Sequence, residues 1–225
     1  MTWIKICGTT NLEDARAAVE AGADAVGFVF APSPRRISPK DAGKIIAELP
    51  QKIEKVGVFG NQRPEIIRET VKSAGLTAVQ LHGDDNRELA EQLARRQHAG
   101  CRFRIIPVFA MRRLFDLATS GSELIEFADG IDTILLDSNA PGQRGGTGET
   151  WDWTLGRMLR RCFRPHMRMI VAGGLAPANV AEAIRTLQPW GVDVCSGVER
   201  TPGSKDHEKL KAFVGAVRGS EERSG

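Results

Sequence analysis

What the chain lacks removes several classes of protein before any motif is read. Nowhere in its 225 residues does an apolar stretch approach the ~20 residues that a membrane-spanning helix needs. The N-terminus enters a strand-like run at once, without a signal-peptide pattern. The expectation is a cytoplasmic protein with no membrane partner. Cysteine is scarce and scattered: Cys7, Cys101, Cys162 and Cys195 form no Cys-x-x-Cys pair. That spacing carries no zinc signature, and a disulfide framework is not expected in a reducing compartment. The four histidines are dispersed as well, so no metal site is expected. Charge of one sign is missing too, since 31 basic and 28 acidic residues leave a net of +3. No nucleic-acid partner is expected from that balance. The longest basic cluster, Arg157 to Arg168, is interrupted by apolar residues and reads as one solvated helix face.

What is present is an alternation of two periods. Short, β-branched, near-continuous apolar runs occur at Trp3–Cys7, Ala25–Phe30, Val56–Phe59, Ala78–Leu81, Ile105–Phe109, Thr133–Asp137, Met169–Ala172 and Val192–Cys195. Runs of this kind suit strands covered on both faces. Helical periodicity fills the gaps. Leu12–Ala21 follows Asn11 as N-cap, and Pro39–Leu49 follows Ser38 with proline at the first helical position. Pro64–Ser73 ends before Gly75, a C-terminal glycine. Glu88–Gln97, Trp151–Arg161, Pro177–Leu187 and His207–Val217 complete the series. Met111–Ala128 reads as two short helical pieces split at Gly121, and Pro141–Gly148 as a long functional loop.

Eight strand–helix units in this length predict a single-domain (β/α)8 TIM barrel over residues 1–218, with a frayed polar tail at 219–225. A doubly wound sheet is the alternative, but the turn after the first strand carries no Gly-x-Gly-x-x-Gly.

In a barrel the C-terminal strand ends face the site. Here they read Cys7, Phe30, Gly60, His82, Phe109, Asp137, Gly173 and Cys195. Three of these can move protons: Cys7, His82 and Asp137. Lys5 and Cys7 share one side of their strand, and an ammonium there favours the thiolate. Cys7 alone reads equally as a small buried hydrophobe. Asp137 reads as a loop cap or as a general acid, because partial desolvation helps a carboxyl hold a proton. His82 either satisfies a backbone group or positions a substrate. Gly173-Gly174 and Ser196-Gly197 follow the last two strands, where barrels frequently bind phosphate through exposed N–H groups. Arg35 or Arg36 could clamp a carboxylate through bidentate pairing.

Taken in order, several segments are similar to the phosphoribosylanthranilate isomerase family of tryptophan biosynthesis. They are Lys5-Ile6-Cys7-Gly8, Arg35-Arg36-Ile37-Ser38, Val56-Gly57-Val58-Phe59, Val79-Gln80-Leu81-His82-Gly83, Leu135-Leu136-Asp137-Ser138, Gly145-Gly146-Thr147-Gly148 with Trp151-Asp152-Trp153, Ala172-Gly173-Gly174-Leu175, and Gly191-Val192-Asp193 through Glu199. The resemblance implies an Amadori rearrangement of a phosphorylated substrate, with no metal and no organic cofactor, by a monomer or homodimer. It implies Asp137 as general acid and Cys7 as general base, and Arg35 on the substrate carboxylate with Arg36 as reserve. It implies Gly173, Gly174, Ser196 and Gly197 on the phosphate, and Asp193 as a further polar site residue. The chain departs from the family pattern at Gly60, at Glu149, where lysine is usual, and at Cys195, where serine is usual.

Overall fold

The computed structural model describes residues 1–83, 86–95, 102–110, 130–138, 163–164 and 166–222. Eight parallel strands close into a barrel in chain order: β1 (Trp3–Ile6), β2 (Ala25–Val29), β3 (Glu54–Phe59), β4 (Ala78–Leu81), β5 (Arg104–Ala110), β6 (Thr133–Asp137), β7 (Arg168–Ala172) and β8 (Gly191–Val194). Outside them lie helices α1 (Leu12–Ala21), α2 (Pro39–Ala47), α3 (Pro64–Ala74), α4 (Asn86–Arg95), α5 (Val180–Leu187) and α6 (His207–Glu222). The expected (β/α)8 barrel is therefore the observed fold. The segments Met111–Ala128, Pro141–Gly148 and Trp151–Arg161, with Cys101 and Cys162, lie outside the described residues.

The helix boundaries follow local chemistry. Asn11 Oδ1 accepts from Asp14 N at 2.8 Å and caps α1, which stops at Gly22 with a φ of 101°. Ser38 caps α2 in the same way, and proline occupies the first turn of α2 and of α3. Two expectations need correction. Pro177 opens a turn instead of α5, which starts at Val180 after Asn179. Gly219–Glu222, expected to fray, form the last turn of α6, and Ser220 is buried there with Oγ donating to Val217 O at 2.6 Å. One unforeseen element follows β8. A three-residue 3-10 turn (Ser196–Val198) leads into a small antiparallel hairpin, β9 (Glu199–Thr201) and β10 (Ser204–Lys205).

Two apolar layers result from the strand pleat, because alternate side chains point to opposite faces. One set, including Ile4, Ile6, Phe28, Phe59 and Leu136, packs under the helices. The other, including Ala25, Val56, Ala78, Ile106 and Leu135, fills the barrel interior. At the floor of the barrel Trp3 stacks on Trp190 with ring centroids 5.2 Å apart. The guanidinium groups of Arg104 and Arg168 lie 5.3 Å and 5.0 Å from the Trp190 ring centroid, within cation–π range.

The strand that opens the chain pairs with the strand that closes the barrel. Lys5 stands opposite Asp193 and Ile6 opposite Val194. The buried Lys205 clamps the two ends together, with Nζ donating to Cys7 O, to Cys195 O at 3.3 Å and to Glu199 Oε1 at 3.1 Å.

Candidate active site

Strand parity selects which strand-end residues face inward. Lys5, Cys7, Gln80, His82, Leu135, Asp137 and Asp193 share the parity of the interior set, and Cys195 continues it one residue past β8. Phe30 has the opposite parity and stacks outside the barrel on Phe59, with centroids 5.1 Å apart.

Lys5 and Asp193 form an ion pair inside the barrel. Lys5 Nζ lies 2.9 Å from Asp193 Oδ1, and both side chains are buried. Burial disfavours the ammonium, but attraction to Asp193 and Cys7 and their hydrogen bonds outweigh it, so the Lys5 pKa is raised. The amine therefore stays charged throughout the neutral range. Gly27 on β2 makes the room, since a Cβ there would come within 2.9 Å of both Lys5 Cε and Cys7 Sγ.

Cys7 sits directly above this pair and is 6% exposed. Its pKa falls from 9.0 to about 7. The largest cause is a hydrogen bond from Cys195; burial opposes the shift, and the Lys5 charge adds to it. Cys195 moves the other way, well above the ordinary thiol value, because its hydrogen bond to Cys7 and its burial both hold its proton in place. Of the two thiols, Cys7 is thus pushed down and Cys195 up, and the Cys195 thiol also has Glu199 Oε1 within reach, at 3.9 Å.

Arg35 leans over the same corner. Its Nε donates to Glu199 Oε1 at 2.9 Å and its Nη2 to Glu199 Oε2 at 2.6 Å. The hydrogen bonds that Arg35 donates to Glu199 raise its pKa against partial burial. Arg36, by contrast, is exposed. Gly8 has a φ of 75°, and a Cβ there would lie 2.7 Å from Arg35 Cδ and 2.8 Å from Cys195 Sγ. Position 8 must therefore be glycine both for its backbone conformation and for the approach of Arg35 to the thiols.

Asp137 ends β6, with His82 Nε2 4.0 Å from Asp137 Oδ2. Ser138 N donates to Ala172 O at 3.3 Å, joining this strand end to β7. Gly173 and Gly174 follow with φ of 86° and 64°. Asn179 braces this loop, accepting from Ala176 N at 2.8 Å and donating to Gly174 O at 2.9 Å. The loop after β8 presses against it, so that a Cβ on Gly197 would collide with the Leu175 carbonyl. The two small-residue loops thus form one backbone surface. Among the described residues no group of three or more His, Cys, Asp or Glu side chains could hold a metal ion.

A family model described as N-(5'-phosphoribosyl)anthranilate (PRA) isomerase matches residues 4–216. The chain belongs to this isomerase family. A family member from Thermotoga maritima is 43% identical over 220 residues, covering 97% of this chain and 100% of that protein. A crystal structure of phosphoribosyl anthranilate isomerase from the same organism has a TM-score of 0.81 at 42% identity, covering 97% of this chain and 100% of that one. A second crystal structure, of the isomerase in complex with reduced 1-(o-carboxyphenylamino)-1-deoxyribulose 5-phosphate, has a TM-score of 0.77 at 41% identity, with the same coverage.

Of the residues singled out from the sequence, Cys7, Arg35 and Cys195 are brought into one cluster, with Asp193 beneath it. His82 and Asp137 form a second group, and Gly173, Gly174, Ser196 and Gly197 meet at the adjoining loops. Sequence reasoning assigned the acidity of Cys7 to Lys5, whereas Cys195 contributes more. A signal existed: the two-residue step from Lys5 to Cys7 repeats from Asp193 to Cys195 on the partner strand. The roles of Glu199 and Lys205 were missed. Both lie in a short hairpin without periodicity.

Proposed function

We propose that the chain catalyses the Amadori rearrangement of N-(5-phosphoribosyl)anthranilate to 1-(2-carboxyphenylamino)-1-deoxyribulose 5-phosphate, as a step of tryptophan biosynthesis. Asp137 is the general acid and Cys7 the general base. Asp137 protonates the furanose ring oxygen, the bond from that oxygen to C1′ breaks, and a Schiff base forms between C1′ and the anthranilate nitrogen. The Cys7 thiolate then takes the proton from C2′. The enolamine that results tautomerises, with a proton added at C1′ and a ketone left at C2′.

The observation that carries this reading is the inward-facing Cys7 thiol, with its pKa lowered to about 7 at the mouth of the barrel. A general base works best when its pKa lies near the working pH. A thiol at 9.0 would be roughly 1% ionised at pH 7, against roughly half for one at about 7. Asp137 stands on the same face of the barrel, with His82 beside it to position the sugar.

Recognition groups lie on either side. Glu199 occupies Arg35 Nε and one Nη2 hydrogen, so the edge formed by Nη1 and the second Nη2 hydrogen is the one offered to the anthranilate carboxylate. Backbone N–H groups of Gly173, Gly174, Ser196 and Gly197 take the phosphate. Asp193 acts from below, fixing the ammonium that supports the thiolate.

Steady-state assays following the fluorescence of the substrate test the assignment. Cys7→Ala and Asp137→Ala each lower kcat by at least ~100-fold, the lower end for a general acid or base, while the product still binds. Arg35→Ala acts chiefly on KM. Near-normal kcat in Cys7→Ala or Asp137→Ala overturns the mechanism.

A further inference from the structure

The two thiols at the strand ends have a chemistry that isomerisation does not use. Cys7 follows β1 and Cys195 follows β8, one step beyond the paired residues Ile6 and Val194. Their side chains point the same way, because Lys5 and Asp193, two residues earlier on each strand, meet at 2.9 Å. Neighbouring strands lie about 4.7–4.9 Å apart, within the Cα separations of about 4.4–6.8 Å that a disulfide spans. The side chains pack together in one cluster with Val29 and Val58. Both cysteines are free.

We propose that Cys7 and Cys195 are a redox modification site, in which a hydroperoxide oxidises Cys7 and Cys195 then closes a disulfide across the ends of β1 and β8. In the first step the Cys7 thiolate attacks the outer peroxide oxygen. The S–O bond forms, the O–O bond breaks, and the alkoxide leaves as an alcohol after taking a proton. In the second step the Cys195 sulfur attacks the sulfenic sulfur. The S–S bond forms, the S–O bond breaks, and hydroxide departs with the Cys195 proton as water. The two thiols supply two electrons, and the peroxide is reduced to alcohol and water.

The environment favours this order. Cys7 is the more acidic thiol and so the first to be oxidised. Once its charge is gone, the hydrogen bond and repulsion that keep the proton on Cys195 disappear, whereas the attraction of Lys205 for the Cys195 thiolate remains. The Cys195 thiol, 4.0 Å from Lys205 Nζ, is then ready to resolve the sulfenic acid.

The effect on turnover rests on the assignment of Cys7 as general base, but the cross-link does not. The test therefore reads both. The full chain carrying Cys101→Ser and Cys162→Ser is exposed to hydrogen peroxide, and its peptides are mapped by mass without reductant. The expected product joins the Cys7 peptide to the Cys195 peptide with the loss of two hydrogens. Turnover falls by at least about tenfold, because a disulfide sulfur takes no proton, and dithiothreitol restores it. Adding Cys195→Ser removes the cross-link, and in excess peroxide Cys7 passes on to sulfinic acid, which dithiothreitol does not restore. Sulfinic acid at Cys7 with no cross-link in the parent protein overturns the proposal, as does sulfinic acid forming at Cys7 no faster in Cys195→Ser than in the parent. A cross-link with undiminished turnover upholds the thiol pair and instead overturns Cys7 as the base.

Discussion

Replacing Cys195 with alanine removes the largest influence on the acidity of Cys7 while leaving Lys5 and Asp193 in place. A base must be deprotonated to act, so with Cys7 in the proposed role of base the acidic limb of kcat/KM follows its pKa. In the parent enzyme that limb falls near pH 7. Full return to 9.0 would cut the thiolate at pH 7 from roughly one half to roughly one in a hundred, a loss of about 50-fold. The Lys5 charge persists, so the expected loss in Cys195→Ala at pH 7 lies between about 3-fold and 50-fold, shrinking as pH rises towards 9. Cys195→Ser keeps a hydroxyl donor and stays closer to the parent. The rate of Cys7 alkylation by iodoacetamide, measured against pH with Cys101 and Cys162 replaced by serine, gives the same pKa without turnover. Stability moves with the same sign. A lowered thiol pKa contributes stability that is fully present above the unfolded value and is lost as pH falls through about 7. An acidic limb and an alkylation profile that both stay at pH 7 in Cys195→Ala would refute the account of thiol–thiol control.

Two further substitutions probe the scaffold. In Gly173→Ala the new Cβ meets Ser138 Oγ and lies 2.5 Å from Asp137 Oδ1, at a φ of 86°; kcat falls at least ~tenfold, short of the ~100-fold lower end for outright loss of an acid because the carboxyl is displaced and not removed, and stability drops by ~1–2 kcal/mol in urea unfolding. Unchanged kcat would separate the Asp137 carboxylate from this loop. Lys5→Met leaves the Asp193 carboxylate buried without its partner and destabilises the fold by ~3–5 kcal/mol, whereas Lys5→Met with Asp193→Leu recovers most of that loss. A single variant as stable as the parent would show that the pair is not buried in solution.

The barrel was legible because its strands are apolar on both faces and its helices are punctuated. Asn11, Ser38, Pro39, Pro64 and Gly75 each mark a boundary that the structure keeps within a residue or two. Local rules failed at Pro177, where a residue suited to a first helical turn instead opens the bend that Asn179 braces. They failed again at Gly219, where burial of Ser220 extends α6 through a residue of low helical propensity. The hairpin after β8 is held by the Lys205 ammonium, which joins the nearby Cys195 O and Glu199 to Cys7 O, 198 residues away, a long-range cause without local periodicity. The same holds for the site. Cys7, Arg35 and Asp137 could be named from position and residue type, but the thiol that shifts Cys7 lies 188 residues away and reaches it only when the barrel closes.

Pairing of β1 with β8 also fixes when the site can come into being during synthesis. The first strand of the barrel carries Lys5 and Cys7, and the carboxylate that neutralises Lys5 is synthesised 188 residues later. Until then β1 cannot settle into an apolar interior without stranding a cation there. A half-barrel made of the early strands therefore holds its first strand loosely, and the closing pair is a contact of very high sequence separation, the kind that forms slowly. Cys7 and Cys195 become neighbours only when the last strand docks, so any chemistry that needs both thiols reports completion of the ring.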